Sequence, residues 1–130
     1  MTSWQCDLCG KRACTVMLLP PFAPDPNQGG WSAGGAADGY VRLSVDGPVR
    51  TTRYFLPGMR VDLRAIEVAM EHRLPVAMFA INPEFAPCWC PTCEQSYCAD
   101  CWSVWVEQDE GFYDCTRGRC PRDHERILDD

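Results

Sequence analysis

The sequence predicts a small α+β zinc-binding domain, and three observations lead to that fold class. Its 130 residues are enough for one compact domain, without a second domain of full size. Ten cysteines, well above ordinary usage, fall mostly in closely spaced pairs. Between the first pair and the others, one stretch alternates like a β-hairpin and the next has the apolar spacing of a helix.

The single domain, 1–130, divides into four segments by composition. Residues 1–19 hold a zinc knuckle, 20–39 form a Pro/Gly-rich loop, 40–81 form a hairpin–helix–strand insert, and 82–130 hold a Cys/His cluster. The knuckle is Cys6-Asp7-Leu8-Cys9-Gly10-Lys11, in which two thiols flank a tight turn and glycine follows where the backbone bends back. Trp31 is expected to anchor the loop.

The insert begins with a predicted hairpin. Tyr40–Val45 and Val49–Leu56 are rich in strand-forming residues, and Asp46-Gly47 between them is a hairpin turn signal. A helix is then predicted from a cap at Asp62 to about Arg73. Its apolar residues recur at helical spacing and are Leu63, Ile66, Met70 and Leu74.

The end of the insert is predicted as a strand. Pro75 stops the helix, and Val76–Ile81 is a short apolar run of strand length. Asn82-Pro83 then turns the chain into the C-terminal segment.

The C-terminal segment supplies most of the candidate metal ligands. Two C-x2-C pairs lie four residues apart, with a C-x3-H pair downstream and the knuckle pair upstream. The eight candidates are Cys6, Cys9, Cys90, Cys93, Cys98, Cys101, Cys120 and His124. Four ligand pairs are enough for two tetrahedral sites, so two zinc ions are expected.

Other chemistries of cysteine and histidine fit less well. A thioredoxin-like redox site at Cys98–Cys101 would need one pair near a βαβ pattern, whereas several pairs compete here. A zinc deaminase needs H-x-E before P-C-x-x-C, which neither His72 nor Pro87 introduces. A hydrolytic site would keep an open coordination position, whereas His124 is expected to close one.

Three of these motifs resemble those of RING fingers. Cys6-Asp7-Leu8-Cys9 resembles the opening C-x-[I/L]-C, Cys98–Trp102 resembles the third pair with its nearby tryptophan, and Cys120-Pro121 resembles the start of the fourth pair. The resemblance implies a RING-like, treble-clef zinc cluster, here with a hairpin-plus-helix insert. The insert places about 80 residues between the first and second pairs, far more than a RING usually has.

The resemblance leaves two partitions of the ligands open. A RING interleaves its pairs, which would join Cys6 and Cys9 to Cys98 and Cys101, and Cys90 and Cys93 to Cys120 and His124. The four-residue gap between Cys93 and Cys98 also resembles in-between-RING domains, whose sequential order would join the first pair to the second and the third pair to the fourth.

The remaining cysteines leave further alternatives. Cys115 is an alternative to Cys120 as the first ligand of the fourth pair. Cys14 and Cys88 are either free thiols or part of a third site with Cys115.

The RING resemblance implies a ubiquitin-ligase activity of the scaffold type. Such a protein holds a charged ubiquitin-conjugating enzyme and promotes transfer from its thioester, without a covalent intermediate on the RING. The matching docking residues are Leu8, Trp102 and Pro121, and Arg126 is the nearest match to a cationic residue that contacts ubiquitin. Each has a structural alternative: Trp102 packs between the zinc sites, Pro121 shapes its turn, and Arg126 pairs with the C-terminal aspartates.

Charge and hydropathy limit the expected partners. Residues 1–75 carry eight Lys/Arg and seven Asp/Glu, whereas residues 76–130 carry four and eleven. Thiolate-bound zinc would not make this acidic end basic, so nucleic acid is not expected as a partner. The sequence has no run of about 18 apolar residues, so no membrane association is expected. It has no secretory signal, so a cytoplasmic location is expected.

Two other functions remain open after the ligase. The first is a non-catalytic, zinc-stabilised adaptor for protein binding, which would use the acidic C-terminal segment and its tryptophans. The second is a zinc-ribbon nucleic-acid binder, which the charge distribution disfavours.

Overall fold

The computed structural model describes residues 1–20, 41–55 and 63–130. These residues form three antiparallel sheets and two short α-helices, so the predicted α+β class is confirmed. Trp31, most of the predicted 20–39 loop and the predicted helix cap Asp62 lie outside the described residues. Within the described ranges, no helix has the length and apolar character needed to cross a membrane.

The first sheet contains four strands in chain order, each antiparallel to the next. The strands are β1 (Thr2–Gln5), β2 (Arg12–Leu19), β3 (Val41–Asp46) and β4 (Arg50–Phe55). The predicted hairpin is present as β3 and β4, with Val41 opposite Phe55 and Asp46 opposite Arg50. The sequence does not predict the β1–β2 hairpin, in which the cysteine knuckle is the connecting turn.

Two helices follow the first sheet. The predicted helix is present as α1 (Leu63–Glu71), with Ile66 and Met70 buried. The strand predicted at Val76–Ile81 is wrong, because this segment belongs to α2 (Pro75–Ile81). A short apolar run does not distinguish strand from helix, and proline at the first helical position favours a helix start because its missing N–H is not needed there. A 3-10 turn, Pro83–Phe85, comes next.

The Cys/His segment contains five strands that the sequence does not predict. They are β5 (Trp89–Cys90), β6 (Gln95–Ser96), β7 (Ser103–Asp109), β8 (Phe112–Arg119) and β9 (Glu125–Asp129). β5 pairs with β6, and β7, β8 and β9 form a meander. Glu110 and Gly111 link β7 to β8 with φ of 51° and 84°. Positive φ at both positions is the pattern of a type I′ turn, whose twist suits a two-residue hairpin.

Trp102 joins the meander to the rest of the core. Its side chain is 4% exposed, and its Nε1–H donates a hydrogen bond to the Cys88 carbonyl at 3.2 Å. Its ring meets Tyr97 edge to face, with centroids 6.3 Å apart. Gly118 of β8 is also close to this ring, since a Cβ at Gly118 would lie 2.6 Å from Leu128 Cδ1 and 3.0 Å from Trp102 Cε3. Only glycine therefore lets β8 approach this part of the core.

We predict that Gly118→Ala lowers the free energy of unfolding by about 1 to 3 kcal/mol, because an added methyl group overpacks a filled core. This loss exceeds the gain of about 0.4 to 1 kcal/mol that alanine gives by restricting the unfolded chain. Urea unfolding measures the change. Leu128→Val removes the Cδ1 methyl group that the new Cβ would contact. The loss of unfolding free energy caused by Gly118→Ala should therefore be smaller in the Leu128→Val background. An equal loss in both backgrounds would contradict the packing explanation.

Candidate metal centres

Four turns carry the four Cys/His pairs. Cys6 and Cys9 lie in the β1–β2 turn, where the Cys6 N–H donates to the Lys11 carbonyl at 2.6 Å and Gly10 has a φ of 78°. Cys98 and Cys101 lie in the connection from β6 to β7, where the Cys101 N–H donates to the Cys98 carbonyl at 3.0 Å. Each turn holds its two thiols at a fixed spacing.

The other two pairs also lie in turns between strands. Cys90 and Cys93 lie in the β5–β6 turn, and the Cys93 N–H donates to Cys90 Sγ at 3.4 Å. Cys120 and His124 lie in the β8–β9 turn, and the His124 N–H donates to Cys120 Sγ at 3.4 Å. Backbone N–H groups directed at sulfur stabilise the thiolate, which is the form that binds a metal.

The first cluster, which we name the four-thiol centre, contains Cys6, Cys9, Cys98 and Cys101. Its Sγ–Sγ distances are 3.7 Å for Cys6 to Cys101, 3.5 Å for Cys9 to Cys98 and 3.9 Å for Cys9 to Cys101. All four cysteines are free thiols. The distances are well beyond the roughly 2.0 Å of a disulfide bond.

The second cluster, which we name the histidine-containing centre, consists of Cys90, Cys93, Cys120 and His124. His124 Nδ1 lies 3.2 Å from Cys93 Sγ, 3.5 Å from Cys120 Sγ and 3.8 Å from Cys90 Sγ. Nδ1 is therefore the ring nitrogen that this cluster offers to a metal ion.

Both centres have the dimensions of a tetrahedral metal site. The edge of a tetrahedron is about 1.6 times its centre-to-vertex distance, so a metal–sulfur bond of about 2.3 Å gives sulfur–sulfur distances of about 3.8 Å. The distances above cluster around this value, and in each centre all four ligand atoms lie within 4.8 Å of one another. The two centres are therefore consistent with two bound metal ions, and their donor sets are those of structural zinc sites.

The eight predicted ligands group in the interleaved order. Cys6 and Cys9 lie with Cys98 and Cys101, not with Cys90 and Cys93 as the sequential order expects. The chain topology explains this order, because the Asp7 N–H donates to the Ser96 carbonyl at 2.8 Å and Asp7 Oδ2 accepts from the Ser96 N–H at 2.7 Å. Ser96 closely precedes the third pair, so these two hydrogen bonds align the first knuckle with that pair.

The thiols of each centre differ in acidity. Burial raises the pKa of Cys6, but backbone hydrogen bonds from Cys9, Cys98 and Leu8 outweigh it and lower the pKa to about 6. In the same centre, burial and hydrogen bonds to neighbouring sulfurs raise the pKa of Cys101 to about 12. Four adjacent thiolates repel one another, so a divalent cation is needed to ionise all of them together.

Three cysteines lie outside both centres. Cys115 groups with Glu107 and Asp114 rather than replacing Cys120. Glu107 is paired with Arg117 at 3.1 Å, and this cluster is held together within the β7–β8 hairpin. Cys14 and Cys88 are both buried free thiols, and a hydrogen bond to Cys88 together with burial raises the pKa of Cys14. The structure does not bring Cys115 to this pair as a third site.

The predicted partner-binding residues differ in exposure. Leu8, at the tip of the first knuckle, is 63% exposed, and Pro121 is also exposed. Trp102 is buried. Its burial agrees with a packing role in the core, and a docking anchor would be expected on the surface. The structure thus separates two accessible candidates from an inaccessible one.

Arg126 is engaged within the fold. Its guanidinium donates to the carbonyls of Pro83, Ala86 and Trp89 at 2.8, 2.9 and 2.6 Å. It also lies 5.1 Å from the centre of the Phe79 ring. Burial lowers its pKa to about 10. These contacts take the place of the alternative pairing with the C-terminal aspartates, and they fix β9 to the segment that precedes the histidine-containing centre. A contact of Arg126 with ubiquitin stays a prediction.

The fold and its two centres define a small α+β domain with one cluster of four cysteines and one of three cysteines and a histidine. The chain belongs to the family described as a domain of unknown function, DUF8328, whose model matches residues 1–130. No curated protein and no solved structure matches the chain significantly.

We predict that Cys9→Ser releases one metal equivalent and exposes the segment from Cys88 onward to proteolysis, because the four-thiol centre joins the two ends of the chain. Metal analysis and limited proteolysis measure the two effects. Cys115→Ser, outside both centres, is the control and should keep both metal equivalents. Protection of the C-terminal segment in the Cys9→Ser protein would show that the knuckle is a separate site.

We also predict that Asp7→Ala lowers the free energy of unfolding by about 1 to 2 kcal/mol, since it removes a charge-assisted hydrogen bond to the Ser96 N–H. Asp100→Ala is the matched control. Asp100 pairs with Lys11 at 3.0 Å, but both side chains are mostly exposed, so its loss should change stability by less than about 0.5 kcal/mol. Chemical denaturation compares the two, and equal effects would contradict the role given to Asp7.

Proposed function

We propose that the two centres bind zinc and that the surface around Leu8 and Pro121 docks a ubiquitin-conjugating-type enzyme. In this proposal the protein is a RING-type ubiquitin ligase that promotes transfer of ubiquitin or a ubiquitin-like protein. It acts as a scaffold and forms no covalent intermediate. The observation that carries the proposal is the interleaved grouping of the four ligand pairs, which is the grouping that the RING resemblance implies.

Zinc is the metal that suits both donor sets. Thiolate and imidazole ligands in a tetrahedral arrangement are typical of structural zinc, and a site with four protein ligands leaves no position for a substrate. Zinc would therefore stabilise the turns rather than perform chemistry. Its contribution is large for a domain of this size, since structural zinc supplies roughly 10 to 16 kcal/mol of apparent binding free energy.

Two exposed residues support a docking surface on these turns. Leu8 lies between the two cysteines of the first knuckle in sequence, and a leucine this exposed contributes little to the core. Pro121 directly follows Cys120 in the histidine-containing centre and is also exposed. Each residue is held by a turn that a metal ion would make rigid, which lowers the entropy cost of binding a partner. Trp102 and Arg126 support the turns from within.

A non-catalytic adaptor is the second candidate. The engagement of Arg126 with three backbone carbonyls leaves no free guanidinium at the position expected to contact ubiquitin. A protein that only binds its partner would not need that contact. The two candidates share the zinc centres and the surface around Leu8, and they differ in whether the partner's thioester reacts faster.

We predict that zinc-loaded protein accelerates discharge of a charged conjugating-type enzyme from the same genome, and that Leu8→Ala weakens its binding by about 1 to 2 kcal/mol, the cost of truncating an apolar interface residue. Zinc content and melting temperature should not change, because Leu8 is exposed. Leu74→Ala is the matched control, since Leu74 is 49% exposed, directly precedes α2 and lies in neither of the turns that carry Leu8 and Pro121.

The outcomes separate the two candidates. Binding that depends on Leu8 without faster discharge would favour the adaptor. No binding by protein that carries both zinc ions would contradict the docking surface itself.

A further inference from the structure

The β7–β8 hairpin carries an open strand edge. β7 is an end strand of the meander, and only β8 pairs with it. Among the residues that the structure describes, no backbone hydrogen bond reaches its outer edge. A bulge between Glu107 and Gln108 limits the regular part of this edge to Ser103–Glu107. Free N–H and C=O groups along such an edge can pair with another extended chain.

Apolar side chains project beside this edge. Val104 and Val106 are two residues apart and therefore share one face of the strand, where they are 40% and 55% exposed. Just beyond the β7–β8 turn, Phe112 lies opposite Asp109 of β7 and is 77% exposed. A group of exposed large apolar residues in one hairpin is typical of a binding surface rather than of solvent-facing structure.

The same hairpin is acidic. Asp109, Glu110 and Asp114 are exposed, and within the described part of the chain none of them has an ion-pair partner. Glu107 is the exception, because Arg117 pairs with it. Arg119 of the same hairpin is paired with Asp123 and Glu125. The exposed carboxylates therefore give the turn end of the hairpin a negative potential that attracts cationic side chains.

We infer that the β7 edge binds an extended, basic segment of another protein as an added strand. Backbone pairing along Ser103–Glu107 supplies part of the affinity, and alternate apolar residues of the segment pack on Val104 and Val106. Lysine or arginine residues of the segment lie near Asp109 and Glu110. β7 begins directly after the third ligand pair, but the inference uses neither Leu8 nor Pro121, so it does not depend on the proposed ligase activity.

The charge of the hairpin disfavours several other occupants. A second copy paired in parallel through the same edge would bring two sets of carboxylates together, and like charges destabilise adjacent strands. An antiparallel second copy would place the two sets at opposite ends of the paired edges, so dimerisation through β7 is one outcome of the test. Nucleic acids and anionic membranes would be repelled by the same carboxylates. A basic protein segment is the occupant whose charge complements the edge.

The test uses the full-length, zinc-loaded protein and a library of capped ten-residue peptides in which Lys or Arg alternates with Val, Ile or Thr. Fluorescence anisotropy measures affinity, and backbone amide spectra locate the bound peptide. We expect the best peptides to perturb Ser103–Glu107 most strongly. Methylation of alternate peptide nitrogens on the pairing edge should weaken binding by about tenfold or more, because it removes the backbone hydrogen bonds of the added strand.

Two variants with matched controls test the side-chain contacts. Val106→Thr keeps the branched shape and should weaken binding about fivefold, whereas Val76→Thr, at a 46% exposed valine of α2, should not. Asp109→Asn combined with Glu110→Gln should weaken binding and reduce its salt dependence. The control, Glu67→Gln combined with Glu71→Gln, neutralises two carboxylates on α1 and should have no effect. Leu8→Ala should leave peptide binding unchanged.

Several results would overturn the inference. These are no peptide bound at concentrations up to about 1 mM, perturbation centred away from β7, and equal binding by the methylated peptides. Unchanged binding by the Asp109→Asn, Glu110→Gln protein would contradict the charge contribution. Concentration-dependent dimers that perturb β7 would identify a second copy as the occupant. Each variant is compared at wild-type zinc content, so loss of fold is distinguished from loss of contact.

Discussion

One cluster of thiols joins the two ends of the chain, and the arrangement of the other elements depends on it. In the four-thiol centre the contacts cross 89 to 95 residues of sequence. The entropy cost of closing a loop grows only slowly with its length. A metal ion held by four thiolates provides more free energy than such a closure costs. The four-thiol centre therefore ties the four-stranded sheet to the C-terminal segment beside the hydrophobic core that the two share.

The two centres act as one unit because a short segment links them. Residues 94–97 connect the second ligand pair to the third, and Asp7 of the first knuckle bonds to Ser96 within it. Trp102 packs edge to face against Tyr97 of this segment and donates a hydrogen bond to the Cys88 carbonyl. Rigid turns with short supporting contacts are a suitable base for a binding surface, since little order is lost when a partner binds.

Local chemistry predicts the ligands but not all of the secondary structure. The paired spacing of cysteines limits the ligand set, and the alternation on both sides of Asp46-Gly47 predicts the β3–β4 hairpin. The strand expected at Val76–Ile81 is a helix because its apolar residues are compatible with both periods, and packing of Met78 in the core decides between them. The sequence does carry a signal for strands β7 and β8, namely the strand-forming run Val104-Trp105-Val106 and the turn residues Glu110-Gly111. This signal is missed when the segment is interpreted through the spacing of its cysteines.

Two site properties depend on tertiary contacts that no local pattern contains. Arg126 follows the last ligand in sequence, yet its guanidinium is directed at carbonyls about 40 residues earlier in the chain. Trp102 follows the third pair, as it would in either a docking or a packing role, and only the fold shows that it is buried.

The pairing of distant ligands is tested most directly by proton–cadmium correlation spectra of cadmium-substituted protein. Two cadmium resonances are expected, one from each centre. One should be coupled to the β-protons of Cys6, Cys9, Cys98 and Cys101, and the other to Cys90, Cys93, Cys120 and the ring of His124. A resonance coupled to Cys6, Cys9, Cys90 and Cys93 would contradict the interleaved arrangement, and a single resonance would contradict the presence of two centres.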